Sequence, residues 1–146
     1  MPAAVLDTSA ILRGTSPDPE RAASAWLDEV MAGRWRGLAP DLIRLELANA
    51  LSLQARIDPL GADDVREWLA LALSVPLELT ASNELVLDAF ELSVGSSLSV
   101  YAACYAVLAE AHRAVLVTAD RRLAAAYPRS ALLPETGPED AGRAAG

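Results

Sequence analysis

The sequence predicts an α/β fold in three layers, a central parallel sheet flanked by helices. Two observations carry this. Short apolar runs over residues 3–6 and 114–118 each give way to an acid, Asp7 and Asp120, as buried strands do where the chain leaves a core. Between them lie amphipathic stretches of helical period, and parallel neighbours need such crossover connections. At 146 residues the chain has the commonest size of a single domain.

Residues 3–6 predict the opening buried strand. Asp18-Pro19 supplies a helix cap followed by proline at the first helical position, and Ala23, Trp26, Leu27 and Val30 recur at helical spacing until Gly33. After a short Leu38-Ala39 segment, Pro40-Asp41 opens a second helix running to Arg56, with Leu42, Leu45 and Leu53 among its apolar positions. Asp58-Pro59 interrupts it. A helix over residues 62–73 puts Val65, Trp68, Leu69 and Ala72 on one face, and Pro76 ends that region. Residues 77–80 predict a short strand. Ser82 then caps a helix that runs through Val94 and stops at Gly95. Ser97 and Ser99 compete to cap the next, alanine-rich helix through Ala111, and residues 121–127 predict a short helix after the strand at 114–118. No internal repeat is present. From Pro134 onward the chain is rich in Pro, Gly, acid and Ala without periodicity, which predicts a domain over residues 1–133 and a mobile tail over 134–146.

Composition excludes several classes. With 53% hydrophobic and 22% charged residues, the chain is not wholly disordered, and it lacks the roughly 18-residue uncharged apolar stretch of a spanning helix. Asp7 arrives before a signal-peptide core of about 7 to 15 apolar residues could form, so the expectation is a cytoplasmic protein without a membrane role. A single cysteine, Cys104, allows neither an internal disulfide nor a Cys-rich zinc site. The net charge of −8 is opposite to the footprint of a general nucleic-acid binder, yet acids gathered at one site can hold metal ions that attract phosphate. Trp26 and Trp68 fit amphipathic faces and predict core packing. Trp35, between Arg34 and Arg36, is the candidate for an exposed contact.

In an open parallel sheet, ligands gather beyond the C-terminal strand ends, where Asp7 and Asp120 fall. Two readings stay open for them: caps of the following helices, or acids that converge on one site. Glu46 has Leu42, Ile43 and Ala50 at i−4, i−3 and i+4; on so apolar a face a carboxylate is a surface-edge residue, paired, or bound to metal. Asn49, one turn later, could orient it. Together Asp7, Glu46 and Asp120 offer hard oxygen donors suited to Mg²⁺ or Mn²⁺, and such a set supports phosphodiester hydrolysis. His112, the one histidine, sits near a helix C-terminus, where a dipole contact outweighs a catalytic role. No Ser-His-Asp set competes.

Four segments carry a resemblance: residues 5–12 (Val-Leu-Asp-Thr-Ser-Ala-Ile-Leu), 46–51 (Glu-Leu-Ala-Asn-Ala-Leu), 98–109 around Tyr101 and Tyr105, and 116–123 (Leu-Val-Thr-Ala-Asp-Arg-Arg-Leu). In this order and spacing they resemble the PIN domain family, and within it the VapC toxins of bacterial toxin–antitoxin pairs. The likeness runs over residues 3–133 and refines the expected fold to a PIN-like one. It implies a Mg²⁺-dependent endoribonuclease acting on RNA, a homodimer held inactive by a cognate VapB-like antitoxin. Asp7 and Asp120 match the metal-binding acids and Glu46 the helical catalytic acid, while Ser9 and Thr118 match supporting positions.

One position departs. The family reads Tyr-Asp where this chain has Tyr101-Ala102. The missing carboxylate would point into the same acidic pocket, favoured there by the helix dipole, and none of Leu98, Ser99, Tyr105 or Ala106 on its helix face replaces it. Weakened metal binding and slow or absent cleavage are the expectation. The alternative is a catalytically inactive PIN-fold module that binds RNA or an antitoxin. A haloacid dehalogenase-type phosphatase needs a second aspartate two residues after the first, where Ser9 stands.

Overall fold

The run Ala-Ala-Val-Leu offers no polar side chain, and from Ala4 onward it is fully buried, which suits the centre of a parallel sheet covered on both faces. In the computed structural model, which describes residues 1–57 and 61–145, it is β1 (Ala3–Leu6). There follow α1 (Thr8–Thr15), α2 (Arg21–Met31), β2 (Arg36–Pro40), α3 (Ile43–Ile57), α4 (Ala62–Ser74), β3 (Glu78–Thr80) and α5 (Ser82–Val94). The chain continues through α6 (Val100–His112), β4 (Val115–Thr118), α7 (Arg121–Ala125), β5 (Ser130–Leu132) and α8 (Pro138–Ala145). The predicted interruption at Asp58-Pro59 lies outside the described residues.

The strands form one sheet in the order β3-β2-β1-β4-β5, and every pairing is parallel. This is the predicted α/β architecture. β1 is central: Val5 lies opposite Leu38 of β2 and Leu116 of β4, and Leu6 opposite Val117. The residues that follow β1 and β4 therefore emerge side by side. Helices α1 and α6 both pack against β1 and β4. Trp26, Leu6, Ile11, Ile43, Leu47 and Leu108 are among the largest fully buried side chains. The indole N–H of Trp26 donates to the Thr136 carbonyl at 3.0 Å, so its polar atom is satisfied in the core. No helix among the described residues is long and apolar enough to cross a membrane.

Several local outcomes differ from the sequence reading. Helix α1 was not legible, because only Ala10, Ile11 and Thr15 of its eight residues are buried. Asp18 does not cap α2; Glu20 holds that position without a side-chain bond. Ser82 is the first residue of α5 and is used across the sheet edge instead. Its N–H donates to Asp41 Oδ1 at 2.9 Å, its hydroxyl also donates to that oxygen, and the hydroxyl accepts from Leu42 N at 3.2 Å. Of the two competing serines, Ser99 caps α6 by accepting from Ala102 N at 3.1 Å. Trp35 is half-buried rather than free, standing edge-on to Trp26 with ring centroids 5.0 Å apart. Trp68 is also half-buried, its N–H donating to the Thr15 hydroxyl at 3.1 Å.

Where the sequence predicts a mobile tail, the structure has α8, which packs on α2 and buries Ala141. The Trp26–Thr136 bond ties the preceding loop to the same place. β5, only three residues long at the sheet edge, pairs Ser130 with Leu116 and is too short for a periodic signal.

Gly37 on β2 allows α2 to close on the sheet. A Cβ there would lie 2.7 Å from Val30 Cγ1 and 3.0 Å from Leu77 Cδ2. Gly37→Ala is expected to destabilise the fold by about 1–3 kcal/mol through overpacking. Gly137→Ala, which meets nothing within 4 Å, should stay within about 0.5 kcal/mol of the parent. Urea denaturation of both variants checks the contrast.

Candidate active site

The β1–β4 ladder runs one residue past the strand, with Asp7 N donating to Val117 O at 3.2 Å, so Asp7 leaves the sheet while still inside the core. It is 6% exposed. Its Oδ1 accepts from Ala10 N at 2.9 Å and from the Ser9 hydroxyl at 2.6 Å, and its Oδ2 accepts from the Thr118 hydroxyl. Asp7 is thus the N-cap of α1 and also an acceptor joined to β4. Thr118, fully buried, accepts in turn from Asp120 N at 2.9 Å. Ser9 closes the ring by accepting from Ala119 N at 2.9 Å. Thr118 therefore connects the two aspartates directly, while Ser9 joins Asp7 to the backbone of Ala119, the residue before Asp120.

Asp120 is exposed and caps α7, its Oδ1 accepting from Arg122 N at 2.9 Å and Leu123 N at 3.3 Å. The two readings left open for these acids are compatible, because capping engages one oxygen of Asp120 and leaves Oδ2 without a partner among the described residues. Burial holds the Asp7 carboxyl above the ordinary carboxylate range. The Ser9, Thr118 and Ala10 donors pull it back, and the charge of Asp120 pushes it further up.

Glu46 approaches from α3. Its Oε1 accepts from the Tyr105 phenol at 2.6 Å and from the Thr8 hydroxyl at 3.2 Å, and those two hydroxyls lie 3.2 Å apart. Burial, then the bond to Glu46, holds the Tyr105 phenol well above the ordinary tyrosine range, so it remains a donor. Thr8 and Tyr105 were not singled out from the sequence. The available signals were Thr8 adjoining the first aspartate and Tyr105 lying one helical turn beyond position 102 on the same face. Asn49 is exposed and makes no hydrogen bond to Glu46. His112 is exposed at the end of α6. Ala102 sits in the first turn of α6, half-buried against the core.

Among the described residues, no three His, Cys, Asp or Glu side chains are grouped so as to hold one metal ion. The three-carboxylate set that the sequence offers is not assembled around a single point, since Glu46 is turned to Tyr105 and Thr8. Asp7 and Asp120 remain a pair of like-charged hard donors, one with a raised pKa. That chemistry fits a divalent ion held by two carboxylates and completed by water, the usual habit of Mg²⁺.

A PIN domain profile matches residues 4–127. The chain belongs to the PIN domain family. Ribonuclease VapC9 of Mycobacterium tuberculosis and a VapC ribonuclease of Mycobacterium bovis are each 40% identical to it over 86 residues, 58% of this chain. The match spans 65% of those relatives, just under two thirds of their length. The crystal structure of PAE2754 from Pyrobaculum aerophilum superposes with a TM-score of 0.68 at 25% identity, covering 88% of this chain and 89% of that one. Mycobacterium tuberculosis VapC20, described as a Sarcin-Ricin loop cleaving toxin, gives 0.58 at 17% identity, over 84% and 94%. FitAcB of Neisseria gonorrhoeae gives 0.54 at 17%, over 90% and 97%. The last two are likenesses of fold.

In this PIN domain the raised pKa of Asp7 has a sign in stability. Between the ordinary carboxylate pKa and the raised folded value, the folded state holds a proton that the unfolded chain lacks, so stability falls as pH rises through that window. Asn caps a helix as well as Asp. Asp7→Asn should therefore melt higher than the parent at pH 7 in chelator, with the advantage shrinking as pH falls to that window. Thermal melts across pH check this, and a variant no more stable at pH 7 would overturn it. Thr118→Val, which strips a buried donor from Asp7, should cost about 1–3 kcal/mol at pH 7, read by the same melts.

Proposed function

We propose that this PIN domain is a Mg²⁺-dependent endoribonuclease, the toxin of a VapBC-type pair, hydrolysing RNA phosphodiester bonds at the acid-lined C-terminal edge of its sheet. One observation carries the reading: a single buried hydroxyl, that of Thr118, donates to the Asp7 carboxylate and accepts from the Asp120 backbone. Two acids from adjacent strands are thereby fixed beside each other, a costly arrangement for a fold that needed only two helix caps.

In this reading Asp7 and Asp120 hold the ion, with Mg²⁺ the physiological choice and Mn²⁺ a substitute. When bound, the ion supplies positive charge beside the scissile phosphate and lowers the pKa of water. Glu46 is the third catalytic acid: an acceptor oriented by two hydroxyls, suited to taking a proton from water. Tyr105 and Thr8 are positioning residues. The relatives named as VapC ribonucleases support an RNA substrate; a cognate VapB-like antitoxin, a homodimer and a cytoplasmic setting belong to the same toxin reading.

Ala102 favours a second reading, an inactive PIN-fold module that grips RNA or antitoxin. Loss of groups even one shell from a metal commonly costs about 10 to 100-fold in affinity or activity. Ala102→Asp is expected to tighten Mn²⁺ binding and to raise cleavage of a structured RNA by at least that factor, measured by calorimetry and gel assay at matched salt. Equal behaviour of the two chains in both assays would sink the assigned role of position 102. Tighter metal binding without cleavage in either chain would establish the binding module.

A further inference from the structure

The acids occupy one end of the sheet; a different chemistry occupies the other. β1, β4 and β5 begin at Ala3, Val115 and Ser130, and all three residues line a cavity of about 480 Å³. That volume falls within the roughly 300–1,000 Å³ of small-molecule sites. Its apolar lining includes Val115, Ala131 and Trp35, and the fully buried Trp26 holds the Trp35 ring in an edge-on contact. Arg113 and Arg129 also line it. Neither arginine is in an ion pair among the described residues, in a chain whose net charge is −8. Arg129 Nη1 donates to the Arg113 carbonyl at 3.2 Å, which ties the two segments together. Asp140, the one acid of the lining, accepts from Gly137 N at 3.3 Å. The cavity keeps a surplus of positive charge.

Arg113 adds an independent observation. It ends α6 with φ of 51°, a left-handed position where glycine is the usual residue. A non-glycine residue kept there is strained, and such strain gathers at functional sites. Here it places a guanidinium where the cheaper residue would place none.

We infer that this cavity binds an anion carried on a flat apolar ring, the chemistry of a nucleotide. The ring lies against Trp35 and the phosphate between Arg113 and Arg129. A free nucleotide and the phosphorylated end of an RNA strand present the same groups. The inference stands apart from the nuclease reading, because it uses none of Asp7, Glu46 or Asp120.

The test is titration of the whole chain with AMP in chelator, followed by tryptophan fluorescence and calorimetry. Saturable binding is expected. Adenosine and inorganic phosphate should each bind more weakly than AMP. Arg129→Ala and Arg113→Gly should each weaken AMP by about tenfold or more, the effect of losing a charge-assisted hydrogen bond. Arg113→Gly should melt no lower than the parent, since glycine takes the left-handed backbone freely. Arg66→Ala on α4 should leave binding unchanged. A 5′-phosphorylated oligonucleotide that binds with the same arginine dependence identifies strand ends as the ligand; its exclusion while AMP binds identifies the free nucleotide. Absence of saturable AMP binding, or binding indifferent to both arginine variants, overturns the site whatever the RNA cleavage assay gives.

Discussion

The structure turns on a carboxylate buried at the end of its central strand. Asp7 is nearly sealed from solvent, and a buried charge is tolerated only when hydrogen-bonded on all sides. Its donors come from two separate parts of the chain: Ser9 and Ala10 at the start of α1, and Thr118 at the end of β4. Satisfying that one group fixes where α1 begins and holds β4 in register with β1. It also carries Asp120 to the same edge, through the bond from its backbone to Thr118. The scaffold and the candidate site are therefore built from the same bonds.

This coupling explains why capping and chemistry need not compete. An aspartate at a strand-to-helix turn lowers its energy by accepting from the first free N–H groups of the helix. Asp7 and Asp120 both do so. What a cap alone does not require is burial, or a hydroxyl shared with a second acid. Asp7 has both: burial and the charge of Asp120 work against its ionisation and hence against stability, and the Thr118 hydroxyl offsets part of that by donating to the charged form. Glu46 is arranged differently. It takes its hydrogen bonds from Tyr105 on α6 and Thr8 on α1, so three helices meet at one carboxylate beside the aspartate pair.

Much of this was legible in the sequence, for identifiable reasons. The runs that became β1 and β4 are apolar because both sheet faces are covered, and each ends at an acid because the strand ends there. The supporting roles of Ser9 and Thr118 followed from the resemblance, and their bonds give those roles a physical content. Other features had no local signature. α1 buries too few residues to show helical period, and β5 is three residues long. α8 is short and polar with Gly142 inside it, so little in its composition reads as helix, and packing against α2 stabilises it. Tyr105 was hidden for another reason: in an alanine-rich, largely buried helix a tyrosine reads as core, and only the fold brings its hydroxyl to a glutamate 59 positions away.

Ala102 shows how far site and scaffold can separate at one position. Its backbone N–H is what Ser99 caps, and alanine is the best helix former, so α6 begins without a carboxylate there, although the helix dipole would favour one. The neighbouring chemistry is less indifferent. Tyr105, one turn along on the same helix face, reaches Glu46, so position 102 shares a face with a side chain bonded to that carboxylate. An acid there would add a fourth carboxylate, beyond Asp7, Glu46 and Asp120, to an edge where Asp120 already pushes the Asp7 pKa upward. Without a cation, that addition lowers stability; with one, it adds a donor. Under the proposed function, alanine at 102 would favour the metal-free fold and aspartate the fold with an ion bound. The same like-charge repulsion that makes this edge expensive to build is what a divalent ion would relieve, so stability and activity pull this position in opposite directions.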